Sequence, residues 1–370
     1  MNITARNALL LASALLTSLS TQAINSDHFV PPFLPASVST VPSNGDTNPY
    51  GVAFVPEDFD EEECELVPGD ILVSNFNNSL GQEGTGSTIV RVAKDHSVST
   101  FFATPNATLG APGTGLTTAL EILKSGFVIV GSLPSSVTSP GQLDPSNPGS
   151  LLVIDAHGNL VETITDPKIN GPWDMTVSDH EDYVLAFVSN VIDGTVIRIK
   201  LDVDESGVWA KKIATIASGY VHRADPIVFA IGPTGLVYDH AHDVLYVAST
   251  GDNEIFAVRD AATRHSSGGT GSVIYADNAH LRGPLAMIKA PNGHLLVSNG
   301  DAVNADPSQP SEIIEFTKTG HFVTQMSIDP AEGGAFGMAV RVHNHVATFA
   351  TVDDNTNQLL IYRFANPHHL

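Results

Sequence analysis

Pro284-Leu-Ala-Met-Ile-Lys-Ala-Pro-Asn-Gly-His-Leu-Leu-Val-Ser-Asn299 reads as two short apolar strands joined by a Pro-Asn-Gly turn and closed by a small polar pair. A third apolar strand, Glu312-Ile-Ile-Glu-Phe316, follows it. The phrase is not unique. Openings of the same kind stand at Asn48-Pro-Tyr-Gly-Val, Thr117-Thr-Ala-Leu-Glu, Asn170-Gly-Pro-Trp-Asp, Pro233-Thr-Gly-Leu-Val and Gly334-Ala-Phe-Gly-Met. Second strands end at Asn75, Ser132, Asn190, Thr250, Asn299 and Asp353, and a third apolar strand follows each. A period of roughly 50 residues built from short strands means stacked sheets, because one such unit cannot bury its own apolar face.

Each strand is four to eight residues, rich in Val, Ile and Leu, and bounded by Gly, Asp, Asn or Pro. A fourth strand is expected at Ser97–Ala103, Asn159–Thr163, Val208–Ile216, Ser272–Tyr275 and His321–Met326. Four antiparallel strands repeated six times predict an all-β fold, a six-bladed β-propeller over residues 48–370. The sixth repeat lacks a fourth strand of its own, and an open edge invites aggregation. The alternating segment Ala36-Ser-Val-Ser-Thr-Val41, in a Pro/Ser-rich arm over 24–47, is expected to close the ring as an N-terminal strand.

Residues 1–23 read as a secretory signal peptide. Arg6 is their one charged side chain, Ala8 to Leu19 is largely apolar, and Thr21-Gln-Ala23 suits cleavage near Ala23. The expectation is therefore a secreted or periplasmic protein with no membrane insertion, since no later stretch approaches the ~18 apolar residues of a spanning helix. A net charge of −23 repels phosphate backbones and anionic headgroups, which argues against nucleic acid and membrane surfaces as partners. Cys64, the single cysteine, cannot form an internal disulfide, and the carboxylates of Glu61-Glu-Glu-Cys-Glu65 disfavour its thiolate.

Strand direction alternates within a blade, so loops after strands two and four share one face. The long loops Phe76–Ser87, Thr104–Gly115, Leu133–Pro148, Ala217–Gly232 and Gly300–Pro310 fall there, whereas most turns on the opposite face are tight. Long loops on a rigid ring usually carry the binding residues. The expected site lies at this mouth of the central channel, with Asn48, Asn75, Asn170, Asp174, His222, Arg223, Arg282 and Asn299 as ligand-binding candidates. Asn and Asp oxygens converging on a channel suit a hard cation such as Ca2+, with Asn170, Asp174, Asn299 and Asp353 as metal candidates. Asn190 and Asp252 occupy similar positions, and all of these side chains also suit strand ends and turns. Asp239-His-Ala-His-Asp243 and His343-Asn-His345 have metal-like spacing but sit in hairpin turns of the opposite face. Asn77-Asn-Ser79 and Asn106-Ala-Thr108 match the N-glycosylation pattern by chance. No nucleophile elbow, phosphate loop or dinucleotide fingerprint appears in context.

The phrase Pro-x-Gly-apolar, then Gly-x-Leu-Leu-Val-Ser, then Ile-apolar-x-Phe resembles the NHL-repeat and regucalcin/gluconolactonase-like six-bladed propellers over nearly the whole chain after residue 47. The lactonase-like members hold a catalytic metal through one Glu, an Asn and an Asp. Asn170-Gly171 matches the Asn position, Thr234 stands where the Asp would be, and Asn48 stands in place of the Glu. Glu121 and Asp174, on inner strands, substitute only if they point into the channel. Two functions follow: a binding protein for a small molecule, polar ligand or protein partner, with a divalent cation as candidate cofactor, or a metal-dependent hydrolase or lyase of the lactonase-like type. A ring that serves only as an interaction scaffold is the third.

Overall fold

The computed structural model of the chain describes residues 28–31, 33–59, 64–180 and 183–365. The leader over 1–23, and with it the cleavage near Ala23, lies outside the described residues. Among the described residues every regular element is a strand, and no helix is long and apolar enough to cross a membrane.

Six four-stranded antiparallel sheets form the blades of a β-propeller. The first blade runs Thr47–Phe54, Ile71–Asn77, Thr88–Val92 and Val98–Ala103, in order from the channel outward. The inner strands of the other five are Leu116–Ile122, Pro172–Asp179, Pro233–Asp239, Pro284–Lys289 and Ala335–His343. The last blade is completed by Ala36–Ser39, which pairs antiparallel with Gln358–Ala365 in the register Ala36 to Ile361 through Ser39 to Gln358. The arm does more than close the ring. Phe29 packs against Phe349 and Phe364, and the buried Glu315 carboxylate accepts hydrogen bonds from the amides of Phe29 and Val30 at 2.7 and 3.1 Å.

The recurring residues of the repeat have recurring tasks. Every inner strand breaks register just after its opening, as between Pro49 and Val52, Pro172 and Met175, and Pro284 and Met287. The serine near the end of strand two repairs the break: Ser74, Ser189 and Ser298 hydroxyls accept from the amides of Gly51, Asp174 and Ala286. The same hydroxyls of Ser74 and Ser189 donate to the next blade, at the carbonyls of Thr117 and Thr234. Small residues then let neighbouring inner strands close up. A Cβ on Gly337 would meet the Tyr50 carbonyl oxygen at 1.7 Å, and one on Gly235 the Met287 amide nitrogen at 2.6 Å. Between blades, apolar layers such as Leu72, Ile89, Leu120 and Val130 supply the burial that a disulfide-free domain depends on.

The loop Ala217–Gly232, expected as a connection without regular structure, folds back as a small hairpin that pairs Arg223–Asp225 with Phe229–Ile231. Its position governs the site.

Candidate functional site

The residue that opens the register break of an inner strand, just after Pro49, Pro172, Pro284 or Ala335, lines the channel. In four blades it is large: Tyr50, Trp173, Leu285 and Phe336. With Phe76 and the hairpin's Phe229 they form an aromatic septum: Tyr50 stacks on Phe76 and Phe336 at 4.6 and 4.8 Å, and Phe76 meets Trp173 and Phe229 edge-on at 5.6 and 5.2 Å. Phe229 holds a φ of +63°, an outlier for an aromatic residue that its packing must sustain. Septum and hairpin together divide the channel into two cavities.

The first cavity opens toward the tight turns and has a volume of about 350 Å³. Glu121 and Asp174 both line it, so both inner-strand carboxyls do point into the channel, on the half away from the long loops. Burial pushes each up to about 8, and for Glu121 the neighbouring Asp174 charge adds to the effect. Asp174 is also engaged: its Oδ2 accepts from the Leu236 amide of the next blade at 2.8 Å.

The second cavity lies at the long-loop mouth, about 180 Å³, walled by Tyr50, Trp173 and Phe336 and roofed by Val228 and Ala230 of the hairpin. Glu83, from the long loop of blade one, and Asp354, from the strand-two turn of blade six, face into it. Burial, then the charges of Asp354 and Asp225, push Glu83 up to about 8. Burial, then Asp353, push Asp354 up to about 7. Asn48, at a φ of +59° and 6 % exposed, lines the same space, and no hydrogen bond of ordinary geometry reaches its Oδ1. Trp173, 2 % exposed, likewise has an indole N–H without a partner. Buried polar atoms are almost always paired, so two orphans around one small cavity mark it.

The residues expected at the site divide accordingly. Asn48 lines the mouth cavity, and Asp174 lines the other one. Asn75, Asn190 and Asn299 are clasps between a strand end and the incoming chain. Asn75 Nδ2 donates to the Thr40 carbonyl, Asn190 Nδ2 to that of Lys168, and Asn299 Nδ2 to that of His280. The Oδ1 atoms of Asn190 and Asn299 accept from the amides of Asn170 and Arg282, which places Asn170 in the backbone of a clasp. Asp252 plays the same part for the Val221 amide. Arg282 is enclosed by Asp306, Glu312 and the Asn304 carbonyl, while Asp353 accepts from the Thr356 hydroxyl. His222 and Arg223 stand exposed on the outer side of the hairpin, where Arg223 pairs with Asp225 at 3.5 Å.

The four metal candidates are not brought together, since Asp174 lines the cavity away from the long loops, whereas Asn299 and Asp353 end second strands of two other blades. Among the described residues no group of three or more His, Cys, Asp or Glu is placed to hold a metal ion. The histidine turns are tied up locally. His242 bonds Asp239, a buried carboxylate. Against the upward pull of burial, Lys318, His242 and Lys289 hold that carboxyl well below its usual range. His343 contacts Glu57 and the Asn344 amide.

Glu83, Asp354 and the channel wall stand outside the set of converging Asn and Asp that the sequence suggests. The wall leaves a signal that a search for polar site residues passes over: its residues recur at one fixed place in the phrase. Glu83 was not, because it lies in a Gly-rich loop whose path depends on Gly84, where a Cβ would meet the Phe229 ring at 2.7 Å.

No family model and no curated protein sequence matches this chain. Solved structures do. A luciferin-regenerating enzyme shares 13% identity over 89% of this chain and 94% of its own, with a TM-score of 0.53. A putative oxidoreductase (glucose dehydrogenase) of Thermus thermophilus shares 11% over 89% of this chain and 100% of its own, TM-score 0.50. A calcium-binding regucalcin of Agrobacterium tumefaciens shares 12% over 90% of this chain and 98% of its own, TM-score 0.48. At these identities the likeness is one of fold. What is shared is the β-propeller fold, and no activity follows from it.

Proposed function

We propose that the protein is an exported binding module that takes a small polar ligand into the cavity at the long-loop mouth of its channel. The observation that carries this is the pair of buried, unpartnered polar atoms, Asn48 Oδ1 and Trp173 Nε1, on the wall of a cavity that also holds two carboxyls. A ligand with both a donor and an acceptor satisfies both atoms. The volume, near 180 Å³, is below the ~300 Å³ at which pockets for drug-sized molecules begin, so the ligand is small. Export rests on the leader sequence, and the absence of nucleic acid or lipid among the ligands on the net charge of −23.

Calcium remains the first cation to try, since Glu83, Asp354 and Asn48 offer hard oxygen donors. The metal-dependent hydrolase reading is weaker: a lactonase-like metal would be held at inner-strand positions, where this chain carries Asn48 and Thr234, and the Thr234 hydroxyl is engaged with the Pro284 carbonyl at 3.0 Å. A protein partner at the same face is a second reading, supported by Leu80, Val137 and Ile227 on the rim at 79, 65 and 83 % exposure.

The chain has two tryptophans, and Trp209 lies on an outer strand, 36 % exposed. In a Trp209→Phe protein the emission therefore reports on Trp173 alone. Titration with a mixed panel of small cations, neutral polyols, carboxylates and Ca2+, with and without chelator, should shift that emission for at least one class. Ala302→Phe, which fills the cavity from its rim without adding an indole, should abolish the response. A panel in which no class moves either the emission or the melting temperature would end the proposal.

A further inference from the structure

The walls of the mouth cavity say what charge it takes. Three aromatic side chains, Tyr50, Trp173 and Phe336, line it, with Tyr50 sandwiched between Phe76 and Phe336, and two carboxyls, Glu83 and Asp354, enter it from the adjacent blades one and six. Among the described residues that line it there is no Lys, Arg or His. Asn48 Oδ1, an unpartnered acceptor on a side chain more than nine-tenths buried, adds a third oxygen. Ring faces carry negative potential, and aromatic cages with carboxylates recognise cations whose charge is spread over carbon. A compact, strongly hydrated ion gains little from ring faces. An organic ammonium gains from both the rings and the carboxylates.

Resting on the reading of this cavity as the ligand site, we propose that its ligand is a small organic ammonium compound, held against the aromatic wall of Trp173 and Phe336 and neutralised by Glu83 and Asp354. The hairpin that pairs Arg223–Asp225 with Phe229–Ile231 covers the bound molecule, and Arg223 stays outside, paired with Asp225. Burial, and the two like charges without a counter-ion, push Glu83 up to about 8 and Asp354 up to about 7, so the empty cavity retains protons near neutral pH. The groups that bear on this pair are all acidic or neutral apart from Arg223: Asp225 from the hairpin, Asp353 and Asp329 from blade six and its neighbour, and the Tyr50 phenol, itself pushed up by burial and by both carboxylates. A permanent cation arriving there displaces protons. Affinity must then rise with pH, in a direction set by the protein since a quaternary ammonium does not titrate.

The test compares choline with its neutral tert-butyl isostere dimethylbutanol, by calorimetry on the wild-type protein. Choline should bind at least about tenfold more tightly than the isostere, and about tenfold more tightly at pH 8.5 than at pH 6. Two buffers of different ionisation enthalpy should show proton release on binding. Glu83→Gln and Asp354→Asn, both close in shape to the native residues, should each weaken choline at least tenfold and flatten the pH dependence. Equal binding of choline and the isostere, affinity that falls with pH, or Ca2+ displacing choline at stoichiometric concentration would overturn the ammonium assignment. In each of these cases the cavity is still occupied, so the reading of it as a ligand site stands. If choline fails and another class in the panel above shifts Trp173, only the ammonium assignment falls. Silence from every class removes both.

Discussion

At the scale of single residues, the repeat is a set of small polar side chains each holding one strand end. Asn75, Asn190 and Asn299 do for the backbone what a ligand site was expected to use them for. Removing one of these clasps, as in Asn190→Ala, strands the Lys168 carbonyl and the Asn170 amide, and should cost about 1–3 kcal/mol of stability without altering ligand affinity. Chemical denaturation of the variant checks the first part and a ligand titration the second. Gly84 is a sharper case. Its φ of +70° and the 2.7 Å approach of a Cβ to the Phe229 ring mean that Gly84→Ala must displace the septum, at about 1–3 kcal/mol. The expected signature is lost stability together with lost ligand binding, and a variant as stable as wild type would show that Phe229 is not held there. The strand-end asparagines were visible in the sequence, but their direction was not. An Asn at a strand terminus satisfies turn backbone or a ligand with the same two atoms, and only the path of the incoming chain decides between them.

At the scale of elements, the strand pattern was legible almost to the residue, including the ring-closing strand over Ala36–Ser39. Alternation and the Gly/Pro boundaries carry that information locally. The hairpin over Arg223–Asp225 and Phe229–Ile231 was not legible, because three-residue strands joined by a tip with exposed Pro226 and Ile227 leave no period to detect. The arm offers a direct trial. Removal of residues 24–47 opens the last blade, frees the Glu315 carboxylate from the amides of Phe29 and Val30, and should lower the melting temperature markedly. Phe29→Ala alone should cost about 3–5 kcal/mol, since its ring is fully buried between Phe349 and Phe364. An unchanged melting temperature in both variants would contradict the closure.

At the scale of the whole molecule, the channel is a reservoir of uncompensated acid. Glu121 and Asp174 in one half, Glu83 and Asp354 in the other, are raised by burial to between about 7 and about 8. A carboxyl raised above its unfolded value near 4 stabilises the fold while protonated, and that contribution is lost as pH climbs through the folded value. Stability of the ligand-free protein should therefore be higher near pH 5 and decline through pH 8, the reverse of a domain held by salt-bridged carboxylates. Saturating cationic ligand should restore stability at the alkaline end and do little at the acid end. Thermal melts across that range, with and without ligand, measure both.

The central claim is that the working cavity lies behind the hairpin and not in the larger, more open half of the channel. Nuclear magnetic resonance of the 15N-labelled protein on addition of choline addresses it in one spectrum. The account expects the Trp173 indole N–H to move strongly while the Leu236 amide, fixed to Asp174 in the other half, stays in place. Movement of Leu236 with a silent Trp173 would contradict it.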